Sequence, residues 1–136
     1  MYLLDASVWI KAINGNSKTV KFLNQLTSDT LGLNGLIYTE VLQGANTQKK
    51  FDTYQRYLSA QPFYGFKDEK ISYQLAAQIY FNCCKAGITI RSSIDCLIVQ
   101  CAIENNLILL HNDQDFIQIA KIILEFKQIK ANEFIL

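Results

Sequence analysis

Apolar residues follow two rhythms along this chain. The runs at residues 2–4 and 107–110, Tyr-Leu-Leu and Leu-Ile-Leu-Leu, show no polar alternation, which is the pattern of strands buried on both faces of a parallel sheet. Most of the remaining apolar positions recur at helical spacing. Residues 2–5 read as a strand, and Ser7 can cap a short helix over 8–13 that stops at Asn14-Gly15. Val20, Leu23 and Leu26 predict a helix with Ser17 as its cap, and Leu31-Gly32-Leu33 a weak strand. Leu36, Ile37, Val41 and Leu42 line one side of a helix that ends at Gly44 and contains Glu40. Phe51, Tyr54 and Leu58 predict a helix within 47–60, ended by Gln61-Pro62. In a helix over 68–86 the stripe Ile71, Leu75, Ile79, Cys83 advances in steps of four and meets Gly87 as the stop. Ser92 or Ser93 caps another helix, with Ile94, Leu97, Ile98 and Cys101 as its stripe. A last helix can start within Asn112-Asp113-Gln114-Asp115-Phe116, and the tail offers 122–126 and, more weakly, 133–136 as strands.

Strands alternating with helices predict an α/β fold, a three-layer α/β/α sandwich with a mainly parallel central sheet. With 136 residues, one proline and no linker, residues 1–136 read as one domain. Half the residues are hydrophobic, too many for a disordered chain. A formal net charge of +1 excludes a global field for nucleic acid or anionic membranes, so any polyanion site must be local. No apolar run approaches the roughly 18 residues a membrane helix needs. The start, Met1-Tyr2-Leu3-Leu4-Asp5, puts an acid where a signal peptide would stay apolar. A cytoplasmic protein with no membrane partner is the expectation. Cys83, Cys84, Cys96 and Cys101 form no Cys-x-x-Cys pair, and read as reduced thiols serving as small hydrophobes.

Because only 18% of the residues are charged, the position of each carboxylate carries information. Asp5 follows the first strand, Asp113 lies three residues beyond Leu110, and Asp95 flanks a buried stripe in the first turn of its helix. Open parallel sheets bind ligands at the carboxyl ends of their strands, so Asp5 and Asp113 can share a crevice. Were Asp5, Glu40, Asp95 and Asp113 to converge, each like pair about 4 Å apart would repel by about 4 kcal/mol at an effective dielectric near 20. Such a group must hold protons or bind a cation. An all-oxygen donor set suits Mg²⁺ or Mn²⁺ better than zinc, and a divalent ion can activate water and neutralise a phosphoryl group. Phosphodiester hydrolysis is the chemistry expected.

The segments Leu3-Leu4-Asp5-Ala6-Ser7, Tyr38-Thr39-Glu40-Val41-Leu42-Gln43-Gly44, Ser93-Ile94-Asp95-Cys96-Leu97-Ile98 and Leu109-Leu110-His111-Asn112-Asp113-Gln114-Asp115-Phe116 together resemble the PIN domain, in the manner of its VapC-type ribonuclease toxins. The blocks occur in order, with acids 35, 55 and 18 residues apart, and the likeness runs from residue 1 to about 126. The resemblance implies a PIN-like fold and a Mg²⁺-dependent endoribonuclease, the toxin of a type II toxin-antitoxin pair. Its partners would be an RNA substrate, a cognate antitoxin that blocks the site, and a second copy in a homodimer. It places Asp5, Glu40, Asp95 and Asp113 as catalytic, metal-binding acids, with Ser7 in support. Asp115 is either a fifth ligand or the cap of the following helix.

Other readings stay open beside these. A housekeeping RNA-processing nuclease or an inert PIN-fold binding module would carry the same blocks. His111 is either a proton shuttle or a structural imidazole. Arg91, and the cluster Lys49, Lys50 and Arg56, meet phosphates or simply face water. Tyr54, Tyr57, Phe63, Tyr64 and Phe66 stack bases or form a partner surface, although their spacing predicts that most are core.

Overall fold

A computed structural model describes residues 1–26 and 30–131. It contains four strands, β1 (Tyr2–Leu4), β2 (Leu31–Gly32), β3 (Ile108–His111) and β4 (Lys127–Lys130), in the spatial order β2-β1-β3-β4 with every pair parallel. Leu3 and Leu4 are both fully buried, as are Leu109 and Leu110. Neighbouring residues of a strand point to opposite faces, so both faces of the sheet are covered, which is the sandwich expected from their unbroken apolar runs. The chain goes from β1 to β2 on one side and returns to β3 on the other, which puts the reversal of strand order between β1 and β3. Their register, Leu3 beside Leu109 and Leu4 beside Leu110, brings the carboxyl ends of these two strands level.

Among the described residues seven helices fill the layers: α1 (Ala6–Ile13), α2 (Ser17–Asn24), α3 (Gly35–Gln43), α4 (Gln48–Ser59), α5 (Glu69–Lys85), α6 (Ser93–Glu104) and α7 (Gln114–Ile122). Most start on side chains able to accept an early amide. Asn34 accepts from Ile37, Thr47 from Lys50, Asp68 from Ile71 and Ser92 from Ile94. Two caps differ from the sequence expectation. Asp5 and Asn16 take the positions assigned to Ser7 and Ser17, so that both serines lie inside their helices. After α5, the Gly87 amide bonds to the Cys84 carbonyl and the Ile88 amide to that of Cys83. That reversal needs the left-handed φ of +84° that Gly87 supplies.

The buried face of α5 is Ser72, Ala76, Ile79 and Cys83, while Ile71 and Leu75 are exposed. Strict steps of four drift about 40° per step around a helix of 3.6 residues per turn, so that stripe cannot stay on one face. The tail also departs from expectation. Residues 122–126 form no strand, since Ile123 and Phe126 are turned into the core, and β4 follows them as the more polar Lys-Gln-Ile-Lys. The expected strand at 133–136 lies outside the described residues. Of the five aromatics read mostly as core, Tyr54 is buried, Tyr64 and Phe66 are half-buried, and Tyr57 and Phe63 are exposed. Three of the four free thiols are buried and Cys84 is exposed. No described helix is long and apolar enough to cross a membrane.

Candidate functional site

Each acid reaches the level carboxyl ends of β1 and β3 by a different local route. Asp5 extends β1 by one residue, its amide bonding to the Leu110 carbonyl at 2.9 Å, and its extended backbone is the N-cap of α1. Asp113 caps α7, its Oδ1 accepting the Asp115 amide at 2.9 Å. Asp95 stands in the first turn of α6 and Asp115 in that of α7, where the helix N-terminus favours a carboxylate. Glu40 projects from the middle of α3. All five are half-buried.

Carboxylate oxygens of Asp95, Asp113 and Asp115 lie within 4.8 Å of one another, a separation that one cation could bridge. Asp5 is drawn into the same field. Burial is the main cause that raises its pKa to about 7, against the lowering effect of the Ala6 backbone N–H, and the charges of Glu40, Asp95 and Asp113 push it further. Burial likewise raises Asp95 to about 6, with Asp113, Asp115 and Glu40 adding to the rise and Arg91 opposing it. Glu40 is raised by burial. Among the described residues the acids close enough to share one ion are thus Asp95, Asp113 and Asp115; Asp5 and Glu40 lie outside that trio and are linked to it through the charges that raise Asp5 and Asp95.

The donor set fits a hard divalent cation, being wholly carboxylate oxygen. Ser7 adds a second indication. Its Oγ is buried two residues beyond Asp5 with no hydrogen-bond partner among the described residues, an orphaned hydroxyl close along the chain to the acid that ends β1. Both of the open readings of Asp115 meet a structural fact: the cap of α7 is Asp113, and the Asp115 carboxylate instead accepts from Arg91 Nε at 3.0 Å. Arg91 also donates through Nη2 to Asp113 Oδ1 at 2.9 Å, so it faces the cluster rather than bulk water alone. Lys49, Lys50 and Arg56 are exposed on α4.

His111 is completely buried against the edge of Phe116. Its Nδ1 accepts the Asp113 amide at 3.1 Å, which places the proton on Nε2, facing Gln128 Oε1 at 2.7 Å. A neutral ring with both nitrogens engaged positions the turn that carries Asp113. Beside Glu40 runs a groove of about 350 Å³ lined by Ala6, Leu36, Thr39, Glu40, Gln43 and Ile94. Thr39 and Gln43, four residues apart and so neighbours on one face of α3, are groove residues that the sequence blocks contain without marking out.

The PIN domain model matches residues 2–122. The chain is 32% identical over 126 residues to ribonuclease VapC11 of Mycobacterium tuberculosis and to a VapC ribonuclease of Mycobacterium bovis, in each case across 90% of this chain and 93% of the relative. VapBC2 from Rickettsia felis, bound to a DNA fragment from its promoter, shares the fold with a TM-score of 0.76 at 18% identity, covering 95% of this chain and 97% of that one. FitAcB from Neisseria gonorrhoeae does so with a TM-score of 0.71 at 17% identity, covering 96% and 97%. Those two likenesses speak to fold alone. Together with the match over residues 2–122 and the relatives at 32% identity, they lead to one conclusion: this chain belongs to the PIN domain family, in its VapC-type branch.

Proposed function

We propose that this protein is a Mg²⁺-dependent endoribonuclease, the toxin of a type II toxin-antitoxin pair, and that it works in the cytoplasm on RNA phosphodiester bonds. Asp5, Glu40, Asp95 and Asp113 would hold Mg²⁺ or Mn²⁺, with Asp115 as a fifth donor. The observation that supports this reading is the approach of Asp95, Asp113 and Asp115 oxygens to within 4.8 Å of one another, with Asp5 raised to about 7 by burial and by the charges of Glu40, Asp95 and Asp113. A divalent ion bound there supplies Lewis-acid polarisation of a phosphoryl oxygen and eases deprotonation of water. The chain's own residues do the rest. Asp95 and Asp113 are fixed by helix N-termini and Asp5 by the sheet ladder, so the acids are preorganised before substrate arrives. The groove beside Glu40 would take a single strand, with the Gln43 amide offering a hydrogen-bond donor to its phosphates, while the Thr39 hydroxyl is committed to the Gly35 carbonyl at 2.8 Å. The names of the 32%-identical relatives favour RNA as substrate. The complexes among the fold neighbours favour an antitoxin as partner, and a second copy of this chain completes the expected assembly.

Purified, partner-free protein incubated with a pool of RNAs tests the reading. Cleavage should require Mg²⁺ or Mn²⁺, stop with chelator, and be lost in Asp5→Asn. Cleavage that persists in chelator and in Asp5→Asn refutes the metal mechanism, and no cleavage under any condition supports an inert binding module. Growth arrest on expression, relieved by the partner, separates a toxin from a housekeeping RNA-processing nuclease.

A further inference from the structure

Arg91 precedes Ser92, the cap of α6, and its side chain is 70% exposed. Its guanidinium is nevertheless committed to two acids, through Nη2 to Asp113 at 2.9 Å and through Nε to Asp115 at 3.0 Å. These are two of the three residues whose oxygens lie within 4.8 Å of one another. Asp113 Oδ1 already accepts the Asp115 amide, so Arg91 caps the solvent side of a pair that is otherwise preformed.

A guanidinium and a divalent ion drawn to the same carboxylates repel each other. The long exposed side chain of Arg91 can withdraw from them without disturbing the core. The planar fork that fits carboxylates also fits a phosphodiester. Given the divalent-ion site proposed above, we infer that Arg91 is an internal counter-cation: it holds Asp113 and Asp115 while the ion is absent, and turns to a backbone phosphate of the RNA once the ion is bound. The residue thereby sets both the divalent concentration the protein needs and its grip on the strand. An ion-free protein keeps its outer acids compensated, and the same charge is released toward substrate when the site fills.

The test is Mn²⁺ binding followed by electron paramagnetic resonance on full-length wild type, Arg91→Gln and Arg91→Lys. Binding of a phosphorothioate-linked RNA strand is then measured across salt concentrations at saturating Mn²⁺. Arg91→Gln should bind Mn²⁺ about tenfold more tightly, and Arg91→Lys should stay within about threefold of wild type because the charge is kept. RNA affinity of Arg91→Gln should fall about tenfold, with the log-log salt slope reduced by about one. Equal or weaker Mn²⁺ binding by Arg91→Gln overturns the inference, as does equal tightening in Arg91→Lys. An unchanged RNA affinity and salt slope overturns the phosphate half. If neither wild type nor variant binds Mn²⁺, the divalent-ion reading itself fails.

Discussion

The acid pocket has two walls built on opposite principles. At the inner wall, Asp5 and Asp95 are partly desolvated and repelled by their neighbours, which pushes their pKa values to about 7 and about 6. At the outer wall, Asp113 and Asp115 are met by a guanidinium, and Asp113 also accepts a backbone amide. Both walls use the same residue type at the same edge of one sheet. What differs is whether the fold supplies the compensating charge. A wall left uncompensated costs stability in the ion-free protein and is where a cation is most needed. The outer wall can exist comfortably without one.

The largest effect should come from removing an inner charge. Asp5→Asn should lower RNA cleavage by about 10³-fold, some 4 kcal/mol in the barrier. In the ion-free protein at pH 8 the same change should raise stability by about 2 kcal/mol, since a buried, repelled carboxylate becomes a neutral amide. Calorimetric melting beside a cleavage assay checks both signs. A loss of activity accompanied by a loss of stability would mean that the inner wall is compensated after all, and the contrast between the walls would fail.

The pH dependence sharpens the same contrast. Asp5 and Asp95 take up protons near pH 7 and 6 in the folded chain, against 3.8 for an ordinary aspartate. Between those limits the folded state binds more protons than the unfolded state. The inner wall therefore adds stability that is complete below about pH 4 and is lost as pH rises through 6 to 7. Discounted for the partial exposure of both groups, the loss is on the order of 3 kcal/mol, or about 10 °C in Tm for the ion-free protein. Saturating Mn²⁺ should reverse the slope, because the ion prefers deprotonated acids and stabilises by mass action. Melting curves from pH 5 to 8, with Mn²⁺ and with chelator, measure both.

Much of this arrangement can be read in the sequence because it depends on local features. Tyr2-Leu3-Leu4 and Ile108-Leu109-Leu110 show their double burial as unbroken apolar runs, and an acid just past each such run must sit at a strand's carboxyl end. Asp95 shows as a charge beside a buried stripe. What fails to show depends on partners far along the chain. Arg91 is one basic residue in a loop, and nothing nearby says that its guanidinium meets acids 22 and 24 residues on. β4 is hidden because an edge strand with polar residues lacks the apolar rhythm, while Ile123 and Phe126, which have it, serve as core plugs in a turn. The buried face of α5 is mis-set for a related reason: Ser72 and Ala76 pack because they are small, which apolar counting does not score.

His111 supports the outer wall from beneath, so its loss should cost less than an inner acid costs activity. His111→Ala removes a completely buried ring, leaves the Asp113 amide unpaired and opens a cavity, at about 2 to 3 kcal/mol of stability. Cleavage should fall by less than about tenfold, with the pH profile unmoved, since a ring with both nitrogens engaged exchanges no proton with substrate. A profile that shifts by a pH unit in this variant would reinstate the proton-shuttle reading.

The smallest expected effect is also the sharpest discriminator between the walls. Asp113→Asn keeps an oxygen for the Asp115 amide, and asparagine caps helices as well as aspartate does. What it loses is an ion pair with an exposed arginine, largely screened by solvent, and with it the repulsion that Asp113 exerts on Asp5 and Asp95, two effects of opposite sign. Ion-free melting should therefore change by less than about 3 °C, far less than the rise in Asp5→Asn, while cleavage is lost in both. If Asp113→Asn stabilised the ion-free protein as Asp5→Asn does, the outer carboxylate would be as strained as the inner one. Arg91 would then be a bystander, and the two walls would be one.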